Sequence, residues 1–285
     1  MILSFHPCID ADKQIIMGDK SPDNEIQEII QKSSAVVLPQ GCSIELYSMC
    51  RSHCAHVYPN YDKRFQFPGK MGQVRLFRDL GVAFPRTMVW ENVRSFTNYR
   101  RAIQEDPHIF PYIIKTNKGH EGEGIFLVKN ESELDLALRH LSLMERSGNC
   151  GFITQDFVPC GARALRVVKI GGKVFSYWKI SPDPKQVIAR ISHGARIDHN
   201  LSAPLQEKGK REAKDFCEKA QIDLAAIDLI FPEECSEPRP LFLEINYYFG
   251  RRGLGGSERY YEILFEEVGK WLEERGLDSS RIRLI

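Results

Sequence analysis

Residues 115–124 read Lys-Thr-Asn-Lys-Gly-His-Glu-Gly-Glu-Gly and lie between two apolar runs, Tyr112–Lys115 and Gly124–Val128. Three glycines within six residues let the backbone approach a ligand closely. The glycine spacing is G-x-x-G-x-G, and no Gly-Lys-Ser or Gly-Lys-Thr follows, which excludes the two common phosphate-loop patterns. The stretch joins strand to strand, which favours a flap over a polyphosphate with Lys115 as a point charge. The alternative is an ordinary hairpin with a surface lysine.

Two acidic residues and an asparagine mark later strands. Asp228 lies inside the apolar run Ala225–Phe231, where an unpaired carboxylate is costly. Glu244 and Asn246 are two residues apart in the next apolar segment, so their side chains point to the same face of a strand. Two carboxylates and an amide oxygen suit Mg²⁺, which often completes its shell with phosphate and water. A hydrogen-bonded acidic pair on adjacent strands explains the pattern equally well.

The N-terminal residues predict a small α/β unit. The apolar runs Ile2–Phe5 and Ala35–Leu38 predict strands, and Pro22–Lys32 predicts a helix with its isoleucines on one side. Because strands alternate with helices, we expect a parallel sheet. Weaker predictions are a helix over Cys42–Ser52, a strand at His56–Tyr58 and a linker over Pro59–Pro68.

The rest of the chain predicts helices mixed with antiparallel strands. Asn130 and Glu133 form a capping-box pattern before an amphipathic helix. Gly171-Gly172 predicts a tight hairpin between Leu165–Ile170 and Lys173–Ile180. The other predicted elements are helices at Gly69–Leu80, at Leu205–Gln221 and from Ser257, and strands at Phe152–Val158 and Leu241–Ile245.

The composition limits the class of protein. The chain has 285 residues, 42% hydrophobic and 27% charged, which is typical of a globular protein of about two domains. Lys+Arg is 39 and Asp+Glu is 38, so the net charge of +1 gives no general reason to bind nucleic acid or an anionic membrane. No apolar run approaches the roughly 18 residues of a membrane span, and no signal-peptide pattern is present. Eight cysteines without a C-x-x-C pair favour a reducing, cytoplasmic setting.

The order of these motifs resembles that of the ATP-grasp superfamily. It runs from a strand-end lysine and a flap through a Gln-acid-apolar strand and a hairpin arginine to Asp and Glu-x-Asn. The resemblance covers Phe67 to the C-terminus and is closest to the ribosomal-protein glutamate-ligase-like branch, with glutathione synthetase more distant. It implies an ATP-grasp fold, α/β and α+β, in which two α+β lobes clasp ATP. The implied domains are a short Rossmann-like domain at 1–66 and an ATP-grasp domain at 67–285, with lobes at about 67–156 and 157–285.

The resemblance also implies which residues surround ATP. Arg166 and Arg190 match arginines that stabilise the charge developing in phosphoryl transfer. Asp228, Glu244 and Asn246 match magnesium ligands. The segment Gln155–Val158 matches the strand between the lobes, whose backbone would hydrogen-bond adenine. The residues implied to bind the nucleotide are Lys70, Lys115, Lys118, Gly119, Gly122, Gly124, Gln155, Asp156, Phe157 and Val158.

The sequence departs from the family pattern where the substrate is expected. Ala164 stands where the family usually has Asp, and Ser192 stands where it often has Asn. The loop after Asn246 reads Tyr-Tyr-Phe-Gly-Arg-Arg-Gly-Leu-Gly-Gly, unlike the usual Ser-Pro-Gly-type segment. ATP and magnesium binding remain the expectation, whereas the substrate is left open.

Arg251 and Arg252 lie in that loop, just before the helix predicted from Ser257. A helix N-terminus with nearby arginines is suited to bind an anion. We therefore expect Arg251 and Arg252 to bind a substrate carboxylate or an acyl phosphate. The alternative is that they are solvated or pair with Glu258 and Glu262.

Cysteine and histidine residues cluster twice near the N-terminus. Cys42, Cys50, His53, Cys54 and His56 are zinc-ligand types but lack a recognised spacing, and Cys50 and Cys54 are also spaced like core residues of a helix. His6, Cys8 and Asp10 have a similar status, and could equally face a ligand cleft from the first βα turn.

By resemblance, the implied reaction is carboxylate activation. A carboxylate attacks the γ-phosphate of Mg-ATP, and an amine or thiol then displaces phosphate from the acyl phosphate. The implied cofactors are ATP and Mg²⁺, with Mn²⁺ as an alternative, and the implied partners are small-molecule or peptide carboxylates and amines. Nucleic acid and membrane are not expected, and a homo-oligomer is compatible with the resemblance. Two other functions fit: a kinase of small hydroxylated molecules, and a nucleotide-binding regulator with little turnover.

Overall fold

The computed structural model of the chain describes residues 1–104, 106–119, 124–183, 194–233 and 235–285. The N-terminal unit contains β1 (Ile2–Ser4), β2 (Ile9–Asp10), β3 (Lys13–Gln14), α1 (Asn24–Gln31), β4 (Ala35–Val37), α2 (Ile44–His53), β5 (Val57–Tyr58) and α3 (Asp62–Gln66). Four of its strands form a parallel sheet in the order β3-β1-β4-β5. The parallel sheet predicted from the alternation of strands and helices is confirmed.

The next elements form the first lobe. They are α4 (Gly69–Asp79), β6 (Thr87–Trp90), α5 (Val93–Ile103), β7 (Tyr112–Thr116), β8 (Ile125–Val128), α6 (Glu131–Arg146) and β9 (Phe152–Asp156). The strands make an antiparallel sheet in the order β6-β9-β7-β8. At the start of α6 the Asn130 side chain accepts from the Glu133 N–H, as the capping pattern predicts, but the Glu133 carboxylate accepts from the N–H of Lys129 instead of Asn130.

The second lobe contains β10 (Arg163–Ile170), β11 (Lys173–Ile180), β12 (Arg196–Asp198), α7 (Ala203–Lys219), β13 (Leu224–Ile230), β14 (Leu241–Asn246), α8 (Ser257–Glu273) and β15 (Arg283–Leu284). Five strands form an antiparallel sheet in the order β12-β11-β10-β13-β14, and β15 pairs with β2 of the N-terminal unit. Ile170 pairs with Lys173, so the Gly171-Gly172 hairpin is confirmed. No helix of the described residues is long and apolar enough to cross a membrane.

Three hydrophobic cores among the described residues hold these layers together. One lies within the first lobe and is formed by Trp90, Phe96, Tyr112, Phe152 and their neighbours. The other two join the N-terminal unit to the second lobe, because Val36 shares a core with Ile227 and Val37 shares one with Val168. Phe77 of α4 belongs to the first shared core. The division of the chain at residues 66 and 67 stays a prediction, since the apolar packing runs across it.

Two regions differ from the expectations drawn from sequence. The segment Pro59–Pro68, expected to be a linker, contains α3 and the fully buried Tyr61, and the Asn60 N–H donates to Asp223 of the second lobe at 2.9 Å. The strand β6 and the helix α5 were not expected. The helix α5 begins with a capping box between Asn92 and Ser95, a signal that the sequence carries in a polar and basic stretch.

Gly72 provides a test of the packing around α4. A Cβ atom at this position would lie 2.3 Å from the backbone carbon of Phe67, which cannot move without displacing the chain before the helix. We expect Gly72→Ala to lower the free energy of unfolding by ~1–2 kcal/mol, because overpacking outweighs the better helix propensity of alanine. Gly41→Ala, where a Cβ would meet nothing within 4 Å, is the control and should change stability by less than ~0.5 kcal/mol. Urea unfolding measures both, and an unchanged Gly72→Ala midpoint would contradict the packing.

Candidate active site between the lobes

Lys70 at the start of α4 connects the flap to the second lobe. Its Nζ donates to the backbone oxygen of Gly119 at 3.2 Å and lies 3.4 Å from Oε1 of Glu244 on β14. Asn117 fixes this end of the helix, since its carbonyl accepts from the Lys70 N–H and its side chain accepts from the Met71 N–H. The structure therefore brings together Lys70, expected near the nucleotide, and Glu244, expected near the metal.

Asp228 lies at the centre of the second-lobe sheet and is the most heavily contacted carboxylate of the site. Its two oxygens accept from Nε and Nη2 of Arg166 at 2.8 and 2.7 Å. Lys179 Nζ and Asn246 Nδ2 also donate to Oδ2, at 2.9 and 3.2 Å. Burial alone would raise the pKa of this carboxyl, but the charges of Arg166 and Lys179 hold it well below its usual range. Arg166 and Glu244 lie directly opposite Asp228 on the two neighbouring strands.

Lys179 is a site residue that the sequence analysis did not single out. It lies on β11 directly opposite Ala164, the position where the family resemblance leads one to expect an aspartate. Without a carboxylate there, the ammonium of Lys179 reaches across β10 to Asp228. Burial lowers the pKa of Lys179, and the charge of Asp228 opposes this effect. A lysine within an apolar strand is the same signal that identified Asp228, and it could have been used.

Lys115 at the end of β7 is buried, with 6% of its surface exposed. Its Nζ donates to Oε1 of Gln155 at 2.7 Å, and Gln155 in turn donates to Oγ1 of Thr87 at 2.8 Å. Burial lowers the pKa of Lys115 to about 8, against the attraction of Glu244. Gln155 was expected to contribute to the adenine-binding strand, and its side chain orients this lysine.

Asp156 ends β9, where the chain passes from one lobe to the other. His108 Nδ1 contacts its carboxylate at 2.5 Å, and His108 Nε2 lies 2.8 Å from Oγ1 of Thr154, which accepts from Trp90. With the ring proton on Nδ1, His108 donates to Asp156 and accepts from the Thr154 hydroxyl. Each hydrogen bond from Trp90 to Asp156 then has one donor and one acceptor. His108 was not predicted as a site residue, because it precedes β7 in an irregular segment without a local motif. The following residues, Phe157-Val158, are half-buried and present apolar surface.

The flap is described at both of its ends. Lys118 is exposed, and its carbonyl accepts from the Thr116 hydroxyl at 2.9 Å. Gly124 has φ +70, and a Cβ there would lie 2.2 Å from Thr116 Oγ1, so the close approach requires glycine. Gly122 of the predicted flap lies outside the described residues, as does His120.

Arg251 lies against two tyrosines at the start of α8. Its guanidinium carbon is 4.7 Å from the ring centre of Tyr260 and 4.4 Å from that of Tyr261. The centres of the Tyr261 and His6 rings are 5.6 Å apart. Burial, together with the charge of Arg251, lowers the pKa of His6 to about 4. Within the described residues neither Arg251 nor the exposed Arg252 forms an ion pair. An arginine held in this way is available to an anion.

Neither of the alternative partners, Glu258 and Glu262, pairs with Arg251 or Arg252 in the described residues. Glu262 pairs with Arg259 at 2.8 Å, not with Arg251 or Arg252. Arg190, the second arginine implied for catalysis, lies outside the described residues together with Ser192 and His193.

The N-terminal cysteines belong to the protein interior. Cys42, Cys50 and Cys54 lie in a hydrophobic core, and burial raises the pKa of Cys42 to about 11. Among the described residues, no group of three or more His, Cys, Asp or Glu side chains could hold a metal ion. All eight cysteines are free thiols. The arrangement favours the interpretation of this cluster as core residues.

The donor set on β13 and β14 fits a hard cation in its chemistry. Asp228 lies opposite Glu244, and Asn246 lies opposite Ala226 on the same pair of strands. Two carboxylates and the amide oxygen of Asn246 would offer the cation only oxygen atoms as ligands. Glu244 is one-third exposed and can reach a ligand in the cleft. Each Asp228 oxygen already accepts from a cationic side chain, so a metal would share these oxygens with Arg166 and Lys179.

The depressed pKa of Lys115 has a consequence for stability. The folded state loses this proton near pH 8 and the unfolded state near 10.5, so unfolding takes up a proton between these values and stability rises with pH. Relative to Lys115→Met, the wild type should gain on the order of 2–3 kcal/mol between these limits. Urea unfolding at several pH values measures the difference. Lys118→Met, which removes an exposed lysine, should keep the wild-type slope, and parallel curves for the wild type and Lys115→Met would refute the shift.

Two named relatives show which sequences the chain is similar to. It is 30% identical over 159 residues to beta-citrylglutamate synthase B of Danio rerio, a match that covers 53% of this chain and 35% of that protein. It is 24% identical over 167 residues to N-acetylaspartylglutamate synthase A of Homo sapiens, covering 55% and 38%. The matches therefore span little more than a third of each relative's length.

Solved structures share the fold at low sequence identity. VanG D-Ala:D-Ser ligase from Enterococcus faecalis aligns with a TM-score of 0.63 and 14% identity over 84% of this chain and 73% of that chain. N5-carboxyaminoimidazole synthetase from Staphylococcus aureus, complexed with ADP, aligns with a TM-score of 0.61 and 13% identity over 92% and 66%. The ATP-grasp fold implied by the motif order is confirmed.

The family is identified by the sequence itself. The family model of the RimK-like ATP-grasp domain matches residues 73–266, which include β7, the flap, Asp228 and Glu244. This range is well over half of the 285 residues. The chain therefore belongs to the RimK-like ATP-grasp family.

Proposed function

We propose that the protein is an ATP-dependent carboxylate–amine ligase that works through an acyl phosphate. The observation that carries the proposal is the convergence of Lys70, Lys115, Arg166, Asp228 and Glu244 beneath the ends of one glycine-rich flap. Cationic side chains grouped around carboxylates in a cleft suit a reaction in which charge moves between a triphosphate and an acceptor oxygen.

Each cationic side chain of the site has a role in phosphoryl transfer that follows from its position. Lys115 is desolvated and held by Gln155, so its ammonium is oriented before a phosphate arrives. Lys70 bridges the flap and Glu244, and would bind a phosphate oxygen where the flap begins. Arg166 lies beside them and would stabilise charge on the transferred phosphoryl group, as would Arg190. Most of the catalytic effect in this proposal comes from positioning.

Asp228, Glu244 and Asn246 would hold Mg²⁺ or Mn²⁺, supported by their oxygen-only donor set. The bound cation supplies positive charge that neutralises the triphosphate. Arg166 and Lys179 would move part of their contact from Asp228 to phosphate oxygens, since Asp228 is already saturated with donors. Gln155–Val158 would bind adenine, with His108 keeping the Asp156 carboxylate in place.

The substrates proposed are a small or peptide carboxylate and an amine. Arg251 supports a carboxylate, because it carries no ion pair in the described part of the chain and two rings hold it. The names of the relatives describe conjugates of glutamate, which supports an amino acid as one of the two substrates.

The direct test follows ADP and free phosphate separately with Mg-ATP and pools of carboxylates and amino acids. Phosphate release that requires both a carboxylate and an amine supports the ligase. ADP formation on a hydroxylated acceptor without free phosphate supports a kinase and contradicts the ligase proposal.

Glu244→Gln tests the oxygen ligands without changing the size of the side chain. We expect turnover to fall by about 100-fold or more, since a charged ligand that acts in the transition state is lost. Glu237→Gln, at an exposed position in the loop before β14, should retain activity. An active Glu244→Gln variant would rule out the proposed role of this carboxylate.

Arg251→Met tests the anion site. The KM for the carboxylate substrate should rise by about 10-fold or more, with the KM for ATP unchanged, because a charge-assisted contact is lost at one substrate only. Arg259→Met, on α8 eight residues further along the chain and paired with Glu262, is the matched control and should leave both constants unchanged. Equal carboxylate KM values for the wild type and Arg251→Met would refute the assignment.

A further inference from the structure

A cavity apart from the nucleotide site lies at the junction of the N-terminal unit and the second lobe. Its volume is about 490 Å³, and its charged lining comes from Arg51, Lys169, Glu218, Asp223 and Arg275. Lys169 and Arg166 are three residues apart on β10, so their side chains leave opposite faces of the sheet. The cavity is therefore separated from the nucleotide site by the sheet itself.

Lys169 is a largely buried lysine in the lining of this cavity. Only 8% of its surface is exposed, and within the described residues its ammonium makes neither a hydrogen bond nor an ion pair. It continues the face of β10 that carries Leu165 and Val167, which are in the hydrophobic core against α7. Its side chain is packed in the interior while the residue lines the cavity, so a ligand bound there would meet a positive charge that no described carboxylate neutralises.

Asp223 is the opposite charge in the same cavity. Its carboxylate accepts from the Asn60 N–H at 2.9 Å and forms no ion pair in the described part of the chain. Burial raises its pKa, against the charges of Lys169 and Arg275. Lys169 and Asp223 thus influence each other across the cavity without touching.

The remaining charges of the lining are already paired. Arg51 contacts Asp62 at 3.1 Å, and Glu218 contacts Lys214 at 3.8 Å. Arg275 contacts Glu274 at 3.5 Å and stacks over the Trp271 ring at 4.4 Å. The two charges left for a ligand are therefore one cation and one anion.

We propose that this cavity binds a free α-amino acid, with its carboxylate on Lys169 and its ammonium on Asp223. A simple anion would satisfy Lys169 but would be repelled by Asp223, and a simple amine would do the reverse. A zwitterion satisfies both charges at once, and the cavity leaves space for its side chain. The site is independent of the proposed ligase reaction, since none of its residues lines the nucleotide cleft.

Thermal unfolding in neutral, ATP-free buffer tests the proposal with each common amino acid at millimolar concentration. At least one should raise Tm, whereas acetate and ethylamine at the same concentration should not, because each satisfies only one charge. Lys169→Met and Asp223→Asn should weaken binding of that amino acid by at least ~10-fold. Arg251→Met should retain the response, which separates this cavity from an amino acid bound as a substrate. No response to any amino acid, or a response that persists in Lys169→Met, would overturn the proposal.

The ligand-free protein gives a second test. Because no described carboxylate forms an ion pair with Lys169, Lys169→Met should unfold at an equal or higher urea concentration than the wild type when no amino acid is present. Lys219→Met, at an exposed position on α7, is the control and should leave the midpoint unchanged. A lower midpoint for Lys169→Met alone would mean that Asp223 already stabilises the lysine, and would count against an external ligand.

Discussion

The site depends on the compensation of one buried carboxylate, Asp228. A carboxylate in the middle of an apolar strand is tolerated only where several donors surround it. Arg166 from β10, Lys179 from β11 and Asn246 from β14 provide those donors, so four neighbouring strands must keep their register for Asp228 to stay ionised. The same register sets Glu244 beside Asp228 and within reach of Lys70.

The packing of the three units explains why the cleft lies where it does. The N-terminal unit and the second lobe share two hydrophobic cores, whereas most of the first lobe packs around a core of its own. The helix α4 takes part in a shared core and carries Lys70 at its beginning. The flap, through Asn117, is tied to that same end of the helix. Apolar packing thus aligns two groups of charged residues from different parts of the chain.

The strands and several site residues could be predicted from the sequence, because strong local patterns coincide with the elements of the structure. The apolar runs around Asp228 and Glu244 are strands, Lys115 lies one residue before the end of its strand, and the glycine pair makes a hairpin. Lys179 carries a local signal as a lysine within an apolar strand, but its contact with Asp228, 49 residues away, is non-local, as is the contact of His108 with Asp156, 48 residues away. The cores shared across the predicted domain boundary are equally non-local. The Cys42–His56 cluster has metal-ligand residue types, but burial and not coordination explains its cysteines.

In the proposed ligase reaction, a carboxylate oxygen of the substrate attacks the γ-phosphate of ATP. The most direct measurement supplies the protein with Mg-ATP, an amino-acid pool and carboxylates labelled with ¹⁸O in the carboxyl group, and weighs the released phosphate by mass spectrometry. An acyl phosphate predicts one labelled oxygen in each phosphate released by the coupled reaction. Unlabelled phosphate, or turnover to ADP without phosphate, would contradict an acyl-phosphate intermediate.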